Sequence, residues 1–259
     1  MSLTNKTLGD SYKDILVAEN SNNGISTSTK TIRSGDGTSS SAQISDDQFQ
    51  VVPVNDDTTA TFTVMNKAGS SLLNVDSTNG IVKSSGHYVN TNIERFYLSY
   101  LTARPQTADT WTALHIGGGR NIATPIEMGA STGTPSATFT ISTDAFDPIM
   151  SYFHLPFNIT IDSCKVWFAS DEDAGDVVKF SVMAYDVDSA NGSTSGDLSD
   201  GTVLASASAM SATNTSMKTD TLTILGANVD ADRVVYAFVE NSGGTGDVTC
   251  QLVVKYHLR

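Results

Sequence analysis

Only three of the chain's twenty aromatic residues, Tyr12, Phe49 and Phe62, lie before residue 87; the other seventeen lie between 87 and 259. A buried aromatic removes about 150–250 Å² from water, so this division decides where a core can form. Residues 87–259 can fill an ordinary one. Residues 1–86 are too poor in large side chains to do so alone, and they contain no cysteine to staple them. Small segments of that kind are stabilised by oligomerisation. The sequence therefore predicts two regions: 1–86, intertwined with sister chains, and 87–259, a domain with its own core.

Both regions read as β structure. Ser and Thr together make up 64 of the 259 residues, only 17% of residues are charged, and Val, Ile, Phe and Tyr recur in short runs. Such residues suit a pleated, half-buried surface rather than a disordered chain. In the first region short apolar pieces at 14–17, 31–33, 61–64, 72–75 and 81–83 are separated by turn signals. Among these are Gly35-Asp36-Gly37, Asn66-Lys67-Ala68-Gly69 and Asp76-Ser77-Thr78-Asn79-Gly80. Asn-Gly and Asp-Gly supply the positive φ angles that tight hairpins need. In the second region strands are expected at 93–101, 111–116, 137–142, 149–155, 159–169, 177–187, 219–225, 234–240 and 248–258. Residues 109–114 and 206–210 are compatible with short helical turns, and 188–202 reads as a long polar loop. Strands at this spacing, without a sustained helical period, point to a jelly-roll-like β-sandwich. The fold class expected is all-β, an extended N-terminal β segment followed by that sandwich.

Composition also narrows function. A net charge of -13 argues against a nucleic-acid partner, which requires a basic stripe. No apolar run approaches the ~20 residues of a bilayer span, so no membrane insertion is expected, and residues 1–14 lack a signal-peptide core. His87, His115, His154 and His257 are scattered, and no Gly-x-Ser-x-Gly elbow occurs, so neither a catalytic set nor an enzyme is expected. Gly117-Gly118-Gly119-Arg120 is followed by Pro125 instead of a helix start, and reads as a turn rather than a phosphate loop. No cofactor is expected. Asp186, Asp188 and Asn191 are weak calcium candidates by ligand type, although their spacing departs from the EF-hand pattern. Cys164 and Cys250 fall in strands, where two buried free thiols are favoured over a disulfide. Trp111 and Trp167 are expected in the core, because large aromatics dominate sandwich interiors.

Thr61-Phe62-Thr63-Val64-Met65-Asn66-Lys67-Ala68-Gly69, followed by Leu72-Leu73-Asn74-Val75-Asp76, resembles the attachment segments of tailed-phage fibre proteins. The opening Asn5-Lys6-Thr7, the run from Ser11 to Leu16 and Asn22-Asn23-Gly24 are similar to the start of fibre-like virion proteins of marine bacteriophages. So are Phe157-Asn158-Ile159-Thr160-Ile161-Asp162, residues 175–182, and the closing Tyr256-His257-Leu258-Arg259. The resemblance implies a homotrimeric virion appendage, a tail or head fibre made in the host cytoplasm. Its N-terminal segment would contact other virion proteins, and its head would adhere to a host glycan or outer-membrane component. It transfers no binding residues. Loop length and composition instead nominate Asp188, Asn191, Ser195, Asp197, Asp200, Ser242, Thr245 and Asp247 as receptor-facing. The alternatives are a capsid decoration protein and, from another class, a polysaccharide-degrading enzyme on a β-sandwich.

Overall fold

The computed structural model describes residues 16–18, 25–98, 108–116, 126–130, 133–140, 151–171, 173–187, 197–243 and 248–259. Every regular element among the described residues is a strand. The chain divides into two units, Met1–Val89 and Asn90–Arg259.

The first unit contains two antiparallel four-stranded sheets, each a meander in chain order. One is built from β1 (Leu16–Ala18), β2 (Lys30–Ser34), β3 (Ser39–Ile44) and β4 (Phe49–Val51). The other comprises β5 (Phe62–Met65), β6 (Ser71–Asp76), β7 (Ile81–Ser84) and β8 (His87–Tyr88). The turn residues explain the connections. Ser85 and Gly86 both have positive φ, 48° and 82°, as a two-residue type I′ hairpin requires. Asn66 Oδ1 accepts from Ser70 N–H at 2.9 Å, closing the β5–β6 turn. The Asp76 carboxylate accepts from Asn79 Nδ2 at 2.8 Å and Asn79 N–H at 3.0 Å. Chiefly that side-chain bond holds the Asp76 carboxyl below its ordinary pKa. What the unit lacks is a core. Among its described residues only Ser45 and Asp76 are buried, and no hydrophobic side chain is.

The second unit is a β-sandwich. Its strands are β9 (Thr91–Leu98), β10 (Thr110–Ala113), β11 (Glu127–Ala130), β12 (Tyr152–His154), β13 (Ile159–Asp171), β14 (Val177–Val187), β15 (Leu198–Ser206), β16 (Met210–Ser211), β17 (Thr213–Ile224), β18 (Asn228–Val229), β19 (Val234–Asn241) and β20 (Val248–Leu258). The front sheet runs β9-β20-β13-β17 and the back sheet β10-β19-β14-β15, with β11 outside β10. That is the strand order of a jelly roll. The sheets join through β15–β17 pairing on one side. On the other, Tyr97 and His115 exchange backbone bonds of 2.6 and 2.9 Å. The strand expected at 111–116 is present as β10, so the helical turn considered for 109–114 is not formed, and 198–202, read as loop, begin β15. β10 is held by pairing with β19, and the departure at β15 follows from its pairing with β14, which local sequence does not display.

Inward-facing Phe96, Val166, Phe168, Phe180, Val182, Ala237, Leu252 and Val254 fill the space between the sheets. The back sheet carries a second core on its outer face, where Trp111, Met128, Tyr185, Tyr236 and Phe238 pack together. All eight residues of β19 are consequently buried. Burial on both faces explains why Val234-Val235-Tyr236-Ala237-Phe238-Val239 reads as a continuous apolar run instead of an alternation. Gly201 is demanded by this packing: a Cβ there would lie 2.5 Å from the Tyr185 ring and 2.8 Å from Ala137 Cα. Cys164 and Cys250 are free and buried. Cys164 pairs with Val254 and Cys250 with Phe168, which separates them by four residues along the sheet, about 13 Å and beyond disulfide reach. Burial pushes both thiols up to about 12.

Candidate functional site

The back sheet is roofed by its own chain, whereas the outer face of the front sheet is open among the described residues. Its central strand, β13, sets the chemistry of that face. Ile159 and Ile161 point inward, then the register with β20 slips by one residue at Asp162, between the pairs Ile161–Tyr256 and Ser163–Lys255. After this bulge the inward set becomes Cys164, Val166 and Phe168. Trp167 is therefore turned outward and only half-buried. The expectation of a core position is correct for Trp111, which is 3% exposed, and wrong for Trp167. Of the adjacent pair Trp167-Phe168 only one side chain can enter the core, and the bulge gives that place to Phe168.

Across four strands Trp167 shares a row with Thr219, Gln251 and Tyr97. The next row holds Thr221, Lys165, Val253 and Arg95. Lys165 Nζ lies 5.1 Å from the Trp167 ring centroid, a cation–π distance. On the other side of Trp167 stands the small Ala169. Opposite it β17 bulges widely, because three residues (215–217) span the interval between the pairs Phe168–Lys218 and Ser170–Asn214. A small side chain facing a bulge leaves space. A depression of 420 Å³ opens there, bounded by Trp167, Ala169, Met217, Thr249 and Gln251, with Leu98 at its edge. Met217 is 78% exposed at the rim. Sequence reasoning did not single out this depression, since it arises from a register slip between strands separated by more than forty residues.

The loop residues nominated from sequence are distributed differently. Asp188, Asn191, Ser195, Thr245 and Asp247 lie outside the described residues. Asp200 is exposed, with a positive φ of 49°, and Asp197 is half-buried just before β15. Ser242 serves the fold: its Oγ accepts from Val177 N–H at 2.8 Å. Asp186, a calcium candidate, is paired with Arg233 Nε at 2.7 Å. Arg233 also donates to Thr202 Oγ1 and to the Ala184 carbonyl. Among the described residues no three His, Cys, Asp or Glu side chains converge as a metal site. His115 Nδ1 lies 2.9 Å from Ser151 Oγ, and both residues are buried. His257 Nδ1 is 2.9 Å from Asp162 Oδ1, beside the bulge. Lys179 Nζ meets the fully buried Glu240 at 3.0 Å.

No protein-family model and no curated protein matches this chain.

Proposed function

We propose that the chain is a virion structural protein of a tailed bacteriophage: a homotrimeric fibre anchored by its first unit, with the sandwich as an adhesive head. The observation that carries this reading is the contrast between the units. Among the described residues all 36 buried hydrophobics lie between Phe96 and Val254, whereas eleven of the seventeen exposed large hydrophobics, from Leu16 to Val89, belong to the first unit. A segment with ordered hairpins, no buried apolar side chain among its described residues and a surface bearing Phe49, Phe62, Met65 and Leu72 needs partners to cover it. Sister chains provide identical faces at the right local concentration. Three heads on one shaft then gain avidity for a repeated host-surface component without tight single-site binding. The sequence resemblance supplies the phage context. The open front sheet supplies a contact face.

Two measurements test it. Sedimentation of the full chain should give three times the chain mass at micromolar concentration. Antibodies raised against the protein should decorate fibres on intact particles and block their adsorption to host cells. A monomer with residues 25–89 ordered, or label spread over the capsid shell, refutes the reading.

A further inference from the structure

The front face of the sandwich reverses the sign of the head. Residues 90–259 contain nine basic and nineteen acidic residues. Three of the nine, Arg95, Lys165 and Lys255, stand in adjoining rows of this one face. From the Ala169–Thr249 row to the Lys165–Val253 row the face carries no carboxylate, and Asp162, at the bulge opposite Lys255, is engaged by His257 Nδ1 at 2.9 Å. Among the described residues none of the three cations closes a salt bridge. The acid beside Arg95 is its chain neighbour Glu94, whose position alternates to the other side of β9. Asp171, the next residue on this side of β13 after Ala169, bounds the patch at the opposite end.

The arrangement is graded along β13. At one end lies positive charge, Lys165 with Arg95 beside it. In the middle stands the Trp167 indole, covered by Lys165 on one side and open to the depression at Ala169 on the other. Around it are short polar side chains, Thr249, Gln251 and Thr219. Such a face suits a ligand with a flat apolar ring surface, several hydroxyls and a negative group at one end. The geometry points to an acidic saccharide, a sugar chain bearing carboxylate or sulfate, as the ligand of this face. The sugar ring lies against Trp167 over Ala169, hydroxyls bond Gln251 and Thr249, and the anionic group faces Lys165 and Arg95, away from Asp171. This deepens the adhesive reading and rests on it for its biological meaning. An oligonucleotide also combines rings with negative charge. The acidic balance of the whole chain disfavours it, because long-range attraction of a polyanion requires a net basic field.

The test is titration of the full chain with short oligogalacturonate (carboxylated), sulfated dextran oligomers, neutral dextran oligomers and a single-stranded oligonucleotide. Tryptophan emission and calorimetry are the readouts. Trp111 is buried, so a saccharide-induced emission change reports Trp167 and disappears in Trp167→Phe. Trp167→Ala should weaken binding by about tenfold or more. The double variant Lys165→Gln/Arg95→Gln should weaken it comparably at about 50 mM salt and much less at about 500 mM, where screening already removes the charge contribution. Asp171→Asn should tighten it. Carboxylated and sulfated arms separate the two sources of negative charge. Unchanged affinity in Trp167→Ala or in the double variant overturns the proposal. So does equal binding of neutral dextran, no binding of either acidic saccharide, or tighter binding of the oligonucleotide. If the chain is monomeric but binds as described, the fibre reading fails and this one stands. If antibodies block adsorption while Trp167→Ala binds acidic saccharide like the wild type, this site fails and adhesion stands.

Discussion

Replacing Phe49 and Phe62 together by Ser should dissolve the assembly and leave the head folded. One phenylalanine comes from each sheet of the first unit, in strands β4 and β5, and they are 62% and 38% exposed. The exposed fractions amount to about one whole aromatic side chain, roughly 200 Å² of apolar surface. If sister chains cover it, that area contributes about 5 kcal/mol per chain at about 25 cal/mol/Å², or about 15 kcal/mol per trimer. The concentration at which a trimer is half dissociated varies as the square root of its dissociation constant. The relevant energy is then half of the total, about 7.5 kcal/mol, which moves the midpoint by about five decades. In the isolated chain the same substitutions cost little, because both side chains already face water. Sedimentation across a dilution series reads the effect directly. Leu225→Ser is the control: it removes a 61% exposed leucine from the second unit and should leave the mass unchanged. A double variant that remains trimeric at wild-type concentrations, with its first unit ordered, would show that these faces are not what holds the chains together.

Three further outcomes follow from the sandwich. Burial raises the Glu94 carboxyl above its ordinary 4.5, so folding favours the protonated form and loses stability as pH rises through the raised value. Glu94→Gln should therefore raise the melting temperature at pH 7 and change it little below pH 4.5. Phe180→Ala empties a fully buried site where the ring meets Phe168 at 5.4 Å, and denaturant titration should show a loss of about 3–5 kcal/mol. Gly201→Ala forces a methyl into the Tyr185 ring and the Ala137 backbone; that overpacking should cost about 1–3 kcal/mol in the same measurement, with the change confined to the second unit.

The all-β class was legible because it depends on composition and short-range signals. Turn chemistry needs only neighbours in sequence, and Gly37, Gly69, Gly80 and Gly86 take the positive φ values that their contexts suggest. The continuous apolar run in β19 marked a strand too. Strands β11 and β15 were not legible. Leu198-Ser199-Asp200-Gly201 looks like a loop, and it becomes a strand through its pairing with Asp186 and Val187 and the close approach of Gly201 to Tyr185. Pairing partners, rather than propensity, decide such cases.

The same reason explains why the open face was invisible in sequence although its residues were in plain view. Taken from Ile159 and Ile161, period two directs odd-numbered residues inward and would carry Trp167 into the core. Asp162-Ser163 breaks the period: two residues of β13 stand where β20 offers only Lys255. From there even-numbered residues fill the core, and Lys165, Trp167 and Ala169 share the outside. A second irregularity, the broad bulge of β17 opposite Ala169, then turns an aromatic on a flat sheet into the wall of a depression. Both lie beside the face that is open among the described residues, and they place its half-buried tryptophan between a lysine and an open hollow. Register shifts occur in the back sheet as well, between β14 and β15 and between β10 and β11, so the half-buried Trp167 between Lys165 and the depression, rather than the bulges themselves, marks this surface as one for contact.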